Sequence, residues 1–124
     1  MTDASEDPNE GEQYHLGLRE GEVDGPVLLP GDPDRVDVIA DLWNSAEELA
    51  SHREYRTVVG ECDGEPMTVT STGIGSPSAA IAVEELARVG AETFLRVGSC
   101  GAIQRNVDVG DLVITTGAVR QEGT

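Results

Sequence analysis

The chain has 124 residues, with 24 acidic side chains against 8 basic ones and a formal net charge of −16. This charge argues against nucleic acid and anionic membranes as partners, because both need clustered positive charge on the protein to release counterions. All eight basic side chains are arginine. An acidic surface without lysine predicts adaptation to high salt, where repulsion between carboxylates is screened, although an ordinary acidic protein is the alternative.

We expect one domain in the cytoplasm. The length leaves room for a single core, and an aromatic content of 3% predicts that Val, Ile, Leu and Ala fill it. Cys62 and Cys100 lack the spacing of a zinc site, and two free thiols are typical of a reducing compartment. No apolar run is long enough to predict a targeting or membrane-spanning segment. Residues 1–12 are predicted to be a disordered acidic tail and residues 13–124 to be the domain.

The first predicted elements are a strand and a helix joined by a tight turn. Residues 27–29 form a short apolar run that is followed by Gly31. Asp32-Pro33 then supplies an N-cap and a proline suited to the first helical position. Apolar residues recur at helical spacing up to about residue 44, where the helix is predicted to end.

The remaining elements follow from alternation, turn residues and caps. Two strands are predicted over 54–61 and 66–72, a helix over 77–89, and two further strands over 93–97 and 112–116. Asp63-Gly64 is a strong signal for an antiparallel hairpin. Ser76-Pro77 repeats the cap and proline signal, and Gly90 ends the apolar face of the helix. The order β-α-β-β-α-β-β predicts an α/β fold with a layered mixed sheet flanked by helices, left incomplete at its C-terminus.

Two strings place an arginine where an apolar strand gives way to a glycine turn: LLPGDPDR at 28–35 and LRVGSCGAI at 95–103. In this geometry backbone N–H groups and a guanidinium can hold one small oxyanion, and phosphate is the obvious candidate. In the first string Gly31 lets the backbone approach a ligand and Arg35 projects toward the same opening. The alternative is a solvated ion pair between Asp32 and Arg35.

Arg96 strengthens the anion hypothesis. It lies in an otherwise apolar strand, where an unpaired charge would cost several kcal/mol and must meet a buried carboxylate or a bound anion. The hydroxyl of Ser99 and the N–H groups of the following turn favour the anion. Cys100 is interpreted as a small side chain lining the pocket, because no base is placed beside it. We therefore predict that the guanidinium groups of Arg35 and Arg96 converge on one pocket of phosphate size.

Other strings carry weaker signals. STGIGSPS at 71–78 contains GxGxxS between a strand and a helix, but a dinucleotide fingerprint belongs after the first strand, so a tight glycine turn is favoured. A Walker-type phosphate loop needs a lysine and is excluded. His15 and the run SHREY at 51–55 are compatible with structural or surface roles, and sequence spacing does not place them near Gly31.

With these residues identified, the chain resembles the N-terminal part of the nucleoside phosphorylase family that contains uridine phosphorylase and the bacterial hexameric purine nucleoside phosphorylases, in a haloarchaeal form. The resemblance runs from about Tyr14 to the end, through HLGL (15–18), PGDPDR (30–35), SHREY (51–55), STGIGSPS (71–78), AVEELARVG (82–90), LRVGSCGAI (95–103) and VGDLVITTGAVR (109–120). HLGL, SHREY and IAVEEL are similar to uridine phosphorylase, whereas RVGSCGA resembles the purine enzymes.

The resemblance implies one site, with Arg35, Arg96 and Ser99 carrying the catalysis. The implied phosphate ligands are Gly31, Arg35, Arg96 and Ser99, with Arg53 added from the neighbouring subunit of a dimer. The implied nucleoside contacts are His15 from across that interface to the ribose 5′-hydroxyl, Ser99 to the sugar, and Gly101 in the base pocket. A monovalent cation between subunits would match Glu54, Ile74 and Ser78; no other metal and no cofactor is implied.

The reaction implied is that of uridine phosphorylase in nucleoside salvage: uridine and the co-substrate phosphate give uracil and ribose 1-phosphate, in a homo-oligomer built from dimers and hexameric in the family. The alternatives are a purine nucleoside phosphorylase, a hydrolytic nucleosidase of the same fold, and a non-catalytic phosphate- or nucleoside-binding fragment. Family members continue well past Thr124, with residues that hold the ribose hydroxyls and read the base. We therefore expect a truncated phosphorylase, reduced in activity or inactive as this chain alone, and a full rate of phosphorolysis by residues 1–124 would refute this.

Overall fold

A computed structural model describes residues 11–124, so most of the predicted tail over 1–12 lies outside the described residues. In chain order the elements are β1 (Val27–Leu29), α1 (Asp34–Ala40), β2 (Ser45–His52), β3 (Tyr55–Cys62), β4 (Glu65–Thr70), α2 (Ser76–Arg88) and β5 (Phe94–Arg96). None of the helices in this described part is long and apolar enough to cross a membrane.

The five strands form one mixed sheet in the order β2-β3-β4-β1-β5. β1 lies at its parallel centre, with Val27 opposite Thr68 of β4 and Phe94 of β5. β2, β3 and β4 are antiparallel neighbours. The Asp63-Gly64 turn joins β3 to β4 with a positive φ at both residues, 52° and 85°, as a type I′ hairpin requires. The predicted α/β fold with a mixed sheet is therefore confirmed.

The two helices cover opposite faces of the sheet. Side chains of a strand alternate between faces, and in β1 this places Val27 and Leu29 in one cluster and Leu28 against the other. The first cluster contains α2 through Ala82 and Leu86, together with Leu16, Leu18 and Tyr55. The second contains α1 through Val36 and Ala40, with Val58 and Val69. The sheet is thus the middle of three layers.

Two predicted boundaries differ from the structure at the helices. α1 ends at Ala40 and not near residue 44, because the N–H groups of Leu42 and Trp43 bond to carbonyls three residues back, which tightens the chain out of the α-helix. The two residues predicted as N-caps, Asp32 and Ser76, do not occupy the N-cap positions in the structure. The residue before α1 is Pro33 and the residue before α2 is Gly75, whose φ of 96° suits a residue without a side chain.

One strand prediction was wrong, and one strand of the structure was not predicted. The strand predicted over 112–116 is absent: residues 97–124 form no helix or strand, and Leu112 and Ile114 are 95% and 88% exposed. β5 lies at an edge of the sheet, and within the described residues no strand pairs with its outer side. β2, in contrast, was not predicted. Its sequence SAEELASH is poor in β-branched residues, and its pairing with β3 through a two-residue turn makes it a strand.

Candidate functional site

The carboxyl ends of three parallel strands lie along one edge of the sheet. β1, β4 and β5 run in the same direction, so the segments that follow Leu29, Thr70 and Arg96 leave the sheet side by side. The turn between β2 and β3 lies at this edge too, since Thr57 near the start of β3 pairs with Thr70 at the end of β4. In open α/β sheets this edge is where ligands bind. It carries most of the sequence-predicted site residues.

Gly31 lies where two loops and a guanidinium approach closely. Thr72 donates its N–H to the carbonyl of Pro30 at 3.0 Å, and Gly73 donates to the carbonyl of Gly31 at 2.9 Å. A Cβ added at Gly31 would lie 3.3 Å from the Gly73 carbonyl oxygen and 3.5 Å from Nη2 of Arg96. Gly73 and Arg96 therefore leave little room for a side chain at position 31, while the predicted approach of a ligand to Gly31 stays a prediction.

Arg35 projects from the first turn of α1 toward the loop after β5. Its Nη2 lies 3.4 Å from Oγ of Ser99, which is 64 residues away in the chain. The alternative of an ion pair with Asp32 does not occur. The Asp32 carboxylate instead accepts the N–H of Asp34 at 2.9 Å, which fixes the start of the helix.

Arg96 reaches the same loop from the end of β5. Its Nη1 donates to the carbonyl of Leu29 at 3.0 Å and to the carbonyl of Val97. A Cβ on Gly98 would lie 2.9 Å from Nη1 and 3.1 Å from Nη2, so the guanidinium lies directly over this glycine. The Arg96 guanidinium is therefore held between the Gly31 turn and the loop that carries Ser99.

The burial argument for Arg96 was wrong. β5 is a three-residue edge strand in which only Phe94 is half-buried, and Arg96 is exposed. Its charge is solvated in this chain and does not require an anion. Arg35 and Arg96 both reach the 97–99 loop, and a shared pocket of phosphate size stays a prediction. Neither has a carboxylate within 4.0 Å among residues 11–124.

Arg56 shows what a neutralised arginine looks like in this chain. It donates to Asp37 of α1 at 2.7 Å and to Glu48 of β2 at 3.2 Å. The hydrogen bonds that Arg56 donates to Asp37 and Glu48 raise the pKa of Arg56, and the bond that Asp37 accepts lowers the pKa of Asp37. Arg56 therefore links α1 to the sheet, whereas Arg35 and Arg96 keep donors available for a ligand.

Arg53 and Glu54 form the turn between β2 and β3. Arg53 is exposed and has a φ of 55°, a left-handed conformation that a side chain rarely adopts. The Glu54 side chain packs against Gly73, where an added Cβ would lie 2.7 Å from its Cγ. Ser71 accepts the N–H of Arg56 and donates to the Glu54 carbonyl, which holds the turn beside the 71–75 loop. Arg53 thus lies at the same sheet edge as Gly31, with its side chain directed to solvent.

His15 makes its described contacts away from the arginine pair. Its Nδ1 lies 2.6 Å from Oε1 of Glu85 on α2, and its carbonyl oxygen lies 3.0 Å from Nδ1 of His52. Its ring packs edge-on against Tyr14 and Tyr55. Within the one chain, the structure therefore places His15 near the β2–β3 hairpin but in no recorded contact with Arg35 or Arg96.

The remaining predicted residues are scattered along the edge. Gly101 is exposed and borders a hollow of about 350 Å³ together with Cys100 and Val113. The Ser78 hydroxyl donates to the carbonyls of Ile74 and Gly75 at 3.0 and 3.1 Å, and Ile74 is fully exposed. In the part of the chain that the structure describes, no three His, Cys, Asp or Glu side chains cluster as a metal site would require.

Glu85 is a residue that the sequence analysis missed. It is 4% exposed, in the last turn of α2, and its carboxylate accepts hydrogen bonds from the 15–16 segment. A signal was present in the sequence: Glu85 falls between Ala82 and Leu86 on the apolar face of a predicted helix, where a carboxylate needs partners.

The comparisons with known proteins agree with this architecture. The model of the phosphorylase superfamily matches residues 27–124. The chain is 60% identical to the uridine phosphorylase of Thermococcus kodakarensis over 115 residues, which are 93% of this chain and 42% of the relative. It is 57% identical to the guanosine phosphorylase of Halorubrum lacusprofundi over 112 residues, 90% of this chain and 46% of the relative.

Solved structures give the same result. The uridine phosphorylase of Vibrio fischeri ES114 superposes with a TM-score of 0.79 at 44% identity, covering 82% of this chain and 42% of that one. The purine nucleoside phosphorylase of Toxoplasma gondii, in complex with immucillin-H, superposes with a TM-score of 0.72 at 43% identity, covering 73% and 37%. The chain thus spans less than half the length of these relatives. By sequence and by fold, the chain belongs to the phosphorylase superfamily.

Proposed function

We propose that this protein is a nucleoside phosphorylase that acts on uridine, giving uracil and ribose 1-phosphate from uridine and orthophosphate. The observation that carries the proposal is the pair of guanidinium groups, Arg35 and Arg96, which reach one loop without a carboxylate partner among the described residues. In a chain of net charge −16, such a local cluster is what would draw an anionic co-substrate. The uridine phosphorylases among the relatives support the choice of nucleoside.

The proposed chemistry follows from charge. A phosphate oxygen forms a bond to the anomeric carbon of the ribose while the bond from that carbon to the base nitrogen breaks, and the base leaves with the electron pair. The transition state has oxocarbenium character, as in other glycosyl transfers. Arg35, Arg96 and the Ser99 hydroxyl would fix the phosphate, and Gly31 would admit it close to the backbone. The phosphate charge then stabilises the sugar cation.

The proposal extends to a second subunit. Arg53 and His15 do not touch the arginine pair within one chain, and both lie near the solvent side of the β2–β3 hairpin. We propose a dimer-based homo-oligomer in which they complete the neighbouring site, Arg53 at the phosphate and His15 at the ribose 5′-hydroxyl. Ser99 would also contact the sugar and Gly101 the base. The same interface would be the place for a monovalent cation near Glu54, Ile74 and Ser78.

Two of the comparisons with known proteins favour the alternative of a purine nucleoside phosphorylase. The guanosine phosphorylase relative is 57% identical, and the Toxoplasma gondii neighbour is a purine nucleoside phosphorylase. In this alternative the phosphate site is unchanged and the nucleoside differs. The halophilic character and cytoplasmic location expected from composition belong to the proposal as well.

The test is cleavage of uridine and of guanosine by the purified protein, with and without phosphate. We expect uracil release that requires phosphate and yields ribose 1-phosphate, at a reduced rate because this chain spans less than half the length of its relatives. Guanine release at a higher rate would establish the purine alternative. Base release at the same rate without phosphate would identify a hydrolase. Phosphate binding by calorimetry without cleavage of either nucleoside would leave a non-catalytic binding module and refute the proposed activity.

A further inference from the structure

Glu85 is a buried carboxylate on the helix face that packs into the core. Its side chain is 6% exposed, and its helical neighbours Ala82 and Leu86 are fully buried. Moving an ionised carboxylate out of water is costly unless several hydrogen bonds compensate it. The hydrogen-bond partners of the Glu85 carboxylate therefore indicate which part of the chain it positions.

All recorded partners of Glu85 come from one dipeptide. Oε1 lies 2.6 Å from Nδ1 of His15 and 3.2 Å from the His15 amide nitrogen. Oε2 accepts the N–H of Leu16 at 2.9 Å and also lies 3.2 Å from the His15 amide. The carboxylate thus fixes both the backbone of the 15–16 segment and the imidazole ring. These groups are 69 and 70 residues away in the chain.

The charge state of Glu85 determines where the proton of His15 lies. Burial acts to raise the pKa of Glu85, but the hydrogen bonds from the His15 ring, from the Leu16 amide and from the His15 amide prevail, and its pKa is lowered. The group is therefore ionised near neutral pH and can only accept hydrogen bonds. Its neighbour Nδ1 must then carry a proton to donate, and in the neutral form of the ring this leaves the lone pair on Nε2.

The surroundings of His15 leave the rest of the ring accessible. The His15 side chain is 30% exposed, between the Tyr14 ring at 4.9 Å and the Tyr55 ring at 6.3 Å. A hollow of about 330 Å³ borders His15, Glu84, Glu85 and Arg88. His52 contacts only the carbonyl oxygen of His15, so it does not compete for the ring nitrogens.

We propose that Glu85 is a positioning residue that holds the neutral His15 ring with its proton on Nδ1 and presents Nε2 as a hydrogen-bond acceptor for a ligand hydroxyl. The identity of that hydroxyl rests on the proposed function, in which it is the ribose 5′-hydroxyl of a nucleoside in the neighbouring subunit. The tautomer itself does not depend on that function. Glu85 acts on the substrate through His15 and has no contact with it.

The first experiment reads the tautomer directly. Side-chain ¹⁵N NMR of the 124-residue protein is recorded over a series of rising pH until the ring signals no longer change, so that the neutral form of the ring is observed. We expect Nδ1 of His15 in the protonated range and Nε2 in the unprotonated range. The exposed neighbour provides the matched control, and Glu84→Gln should leave this pattern unchanged. A proton on Nε2 in the unsubstituted protein overturns the proposal, and this result needs no variant that folds.

The second experiment measures whether Glu85 affects recognition of the 5′-hydroxyl of the nucleoside. Rates of cleavage of uridine and 5′-deoxyuridine are compared in Glu85→Gln, Glu85→Ala and Glu84→Gln. We expect the preference for uridine to fall about threefold to tenfold in Glu85→Ala, the range for one neutral hydrogen bond, with part of it restored in Glu85→Gln. An equal loss with both nucleosides would show a merely structural role and overturn the proposal. If neither nucleoside is cleaved by any form, the proposed function fails, and the tautomer measurement still decides the positioning claim.

Discussion

Removal of the Arg96 guanidinium should weaken phosphate binding without unfolding the protein. Nη1 of Arg96 is committed to the carbonyls of Leu29 and Val97, so Nη2 and Nε are the donors left for an anion beside Gly31. Each charge-assisted hydrogen bond lost costs about 1.5–3 kcal/mol. At about 1.4 kcal/mol per factor of ten, one lost bond makes the affinity of Arg96→Ala about tenfold to 150-fold weaker.

The protein should stay folded, because Arg96 is exposed and makes no ion pair within residues 11–124. We expect a loss of about 0.5–1.5 kcal/mol in urea denaturation for each of the two hydrogen bonds to the Leu29 and Val97 carbonyls. The assay for affinity is calorimetric titration with inorganic phosphate. Arg88→Ala is the matched control, because it removes the same charge from an exposed position. Arg88 is the last residue of α2, about 18 Å along the helix from its first residue, Ser76. Equal losses in the two variants, or no loss in Arg96→Ala, would refute the reasoning.

Three further predictions concern the turn, the sheet and the buried carboxylate. Arg53→Gly should stabilise the protein by about 1 kcal/mol in urea denaturation, because it relieves the left-handed strain at φ 55°, while phosphorolysis becomes slower; a loss of stability would contradict this. Gly25→Ala should destabilise by more than about 1–2 kcal/mol, since φ is +68° and the new Cβ would lie against the Pro66 carbonyl oxygen; an unchanged thermal midpoint would contradict it. Although burial acts to raise the pKa of Glu85, the hydrogen bonds from the 15–16 segment hold it below its unfolded value. The stability that these bonds provide is therefore present above about pH 4.3 and lost as pH falls through the folded pKa. The stability difference between the unsubstituted protein and Glu85→Gln should shrink on acidification, and a difference that grows would contradict the sign.

Local signals predicted the centre of the fold. A two-residue turn with positive φ at both positions is what Asp-Gly favours, and Asp63-Gly64 joins β3 to β4 as expected. The helix over 77–89 was predicted within one residue of α2, because its apolar face and its proline are encoded within the segment itself. Gly31 was identified in the same way, because its place between a strand and a helix can be read from the local sequence.

Features that depend on distant partners were not predictable in the same way. The 112–116 segment is rich in β-branched residues, as strands are, yet within the described residues no neighbour covers it. β2 shows the reverse, because pairing with β3 makes a strand of a sequence with weak β-propensity. The error at Arg96 has the same origin: an apolar strand was taken to be buried, and its place at the sheet edge leaves the charge in water.

The candidate site divides in the same way into residues with a local sequence signal and residues whose contacts are long-range. Arg35 and Arg96 were identified because each stands beside a glycine turn, and parallel strands bring such turns to one edge. The contact of His15 with Glu85 spans 70 residues, and no local pattern encodes it. The binding roles of all the site residues stay predictions: Gly31, Arg35, Arg53, Arg96, His15, Ser99 and Gly101.

The central claim is that Arg35, Arg96 and the loops beside them form a phosphate site, and titration of the ¹⁵N-labelled protein with inorganic phosphate tests it most directly. Amide and arginine side-chain resonances are followed at constant ionic strength, with chloride as the reference anion. The account predicts saturable shifts at Gly31, at residues 97–99 and at the Nε–H groups of Arg35 and Arg96, with Arg88 unaffected. Saturable shifts elsewhere, or none that differ from those with chloride, would contradict it.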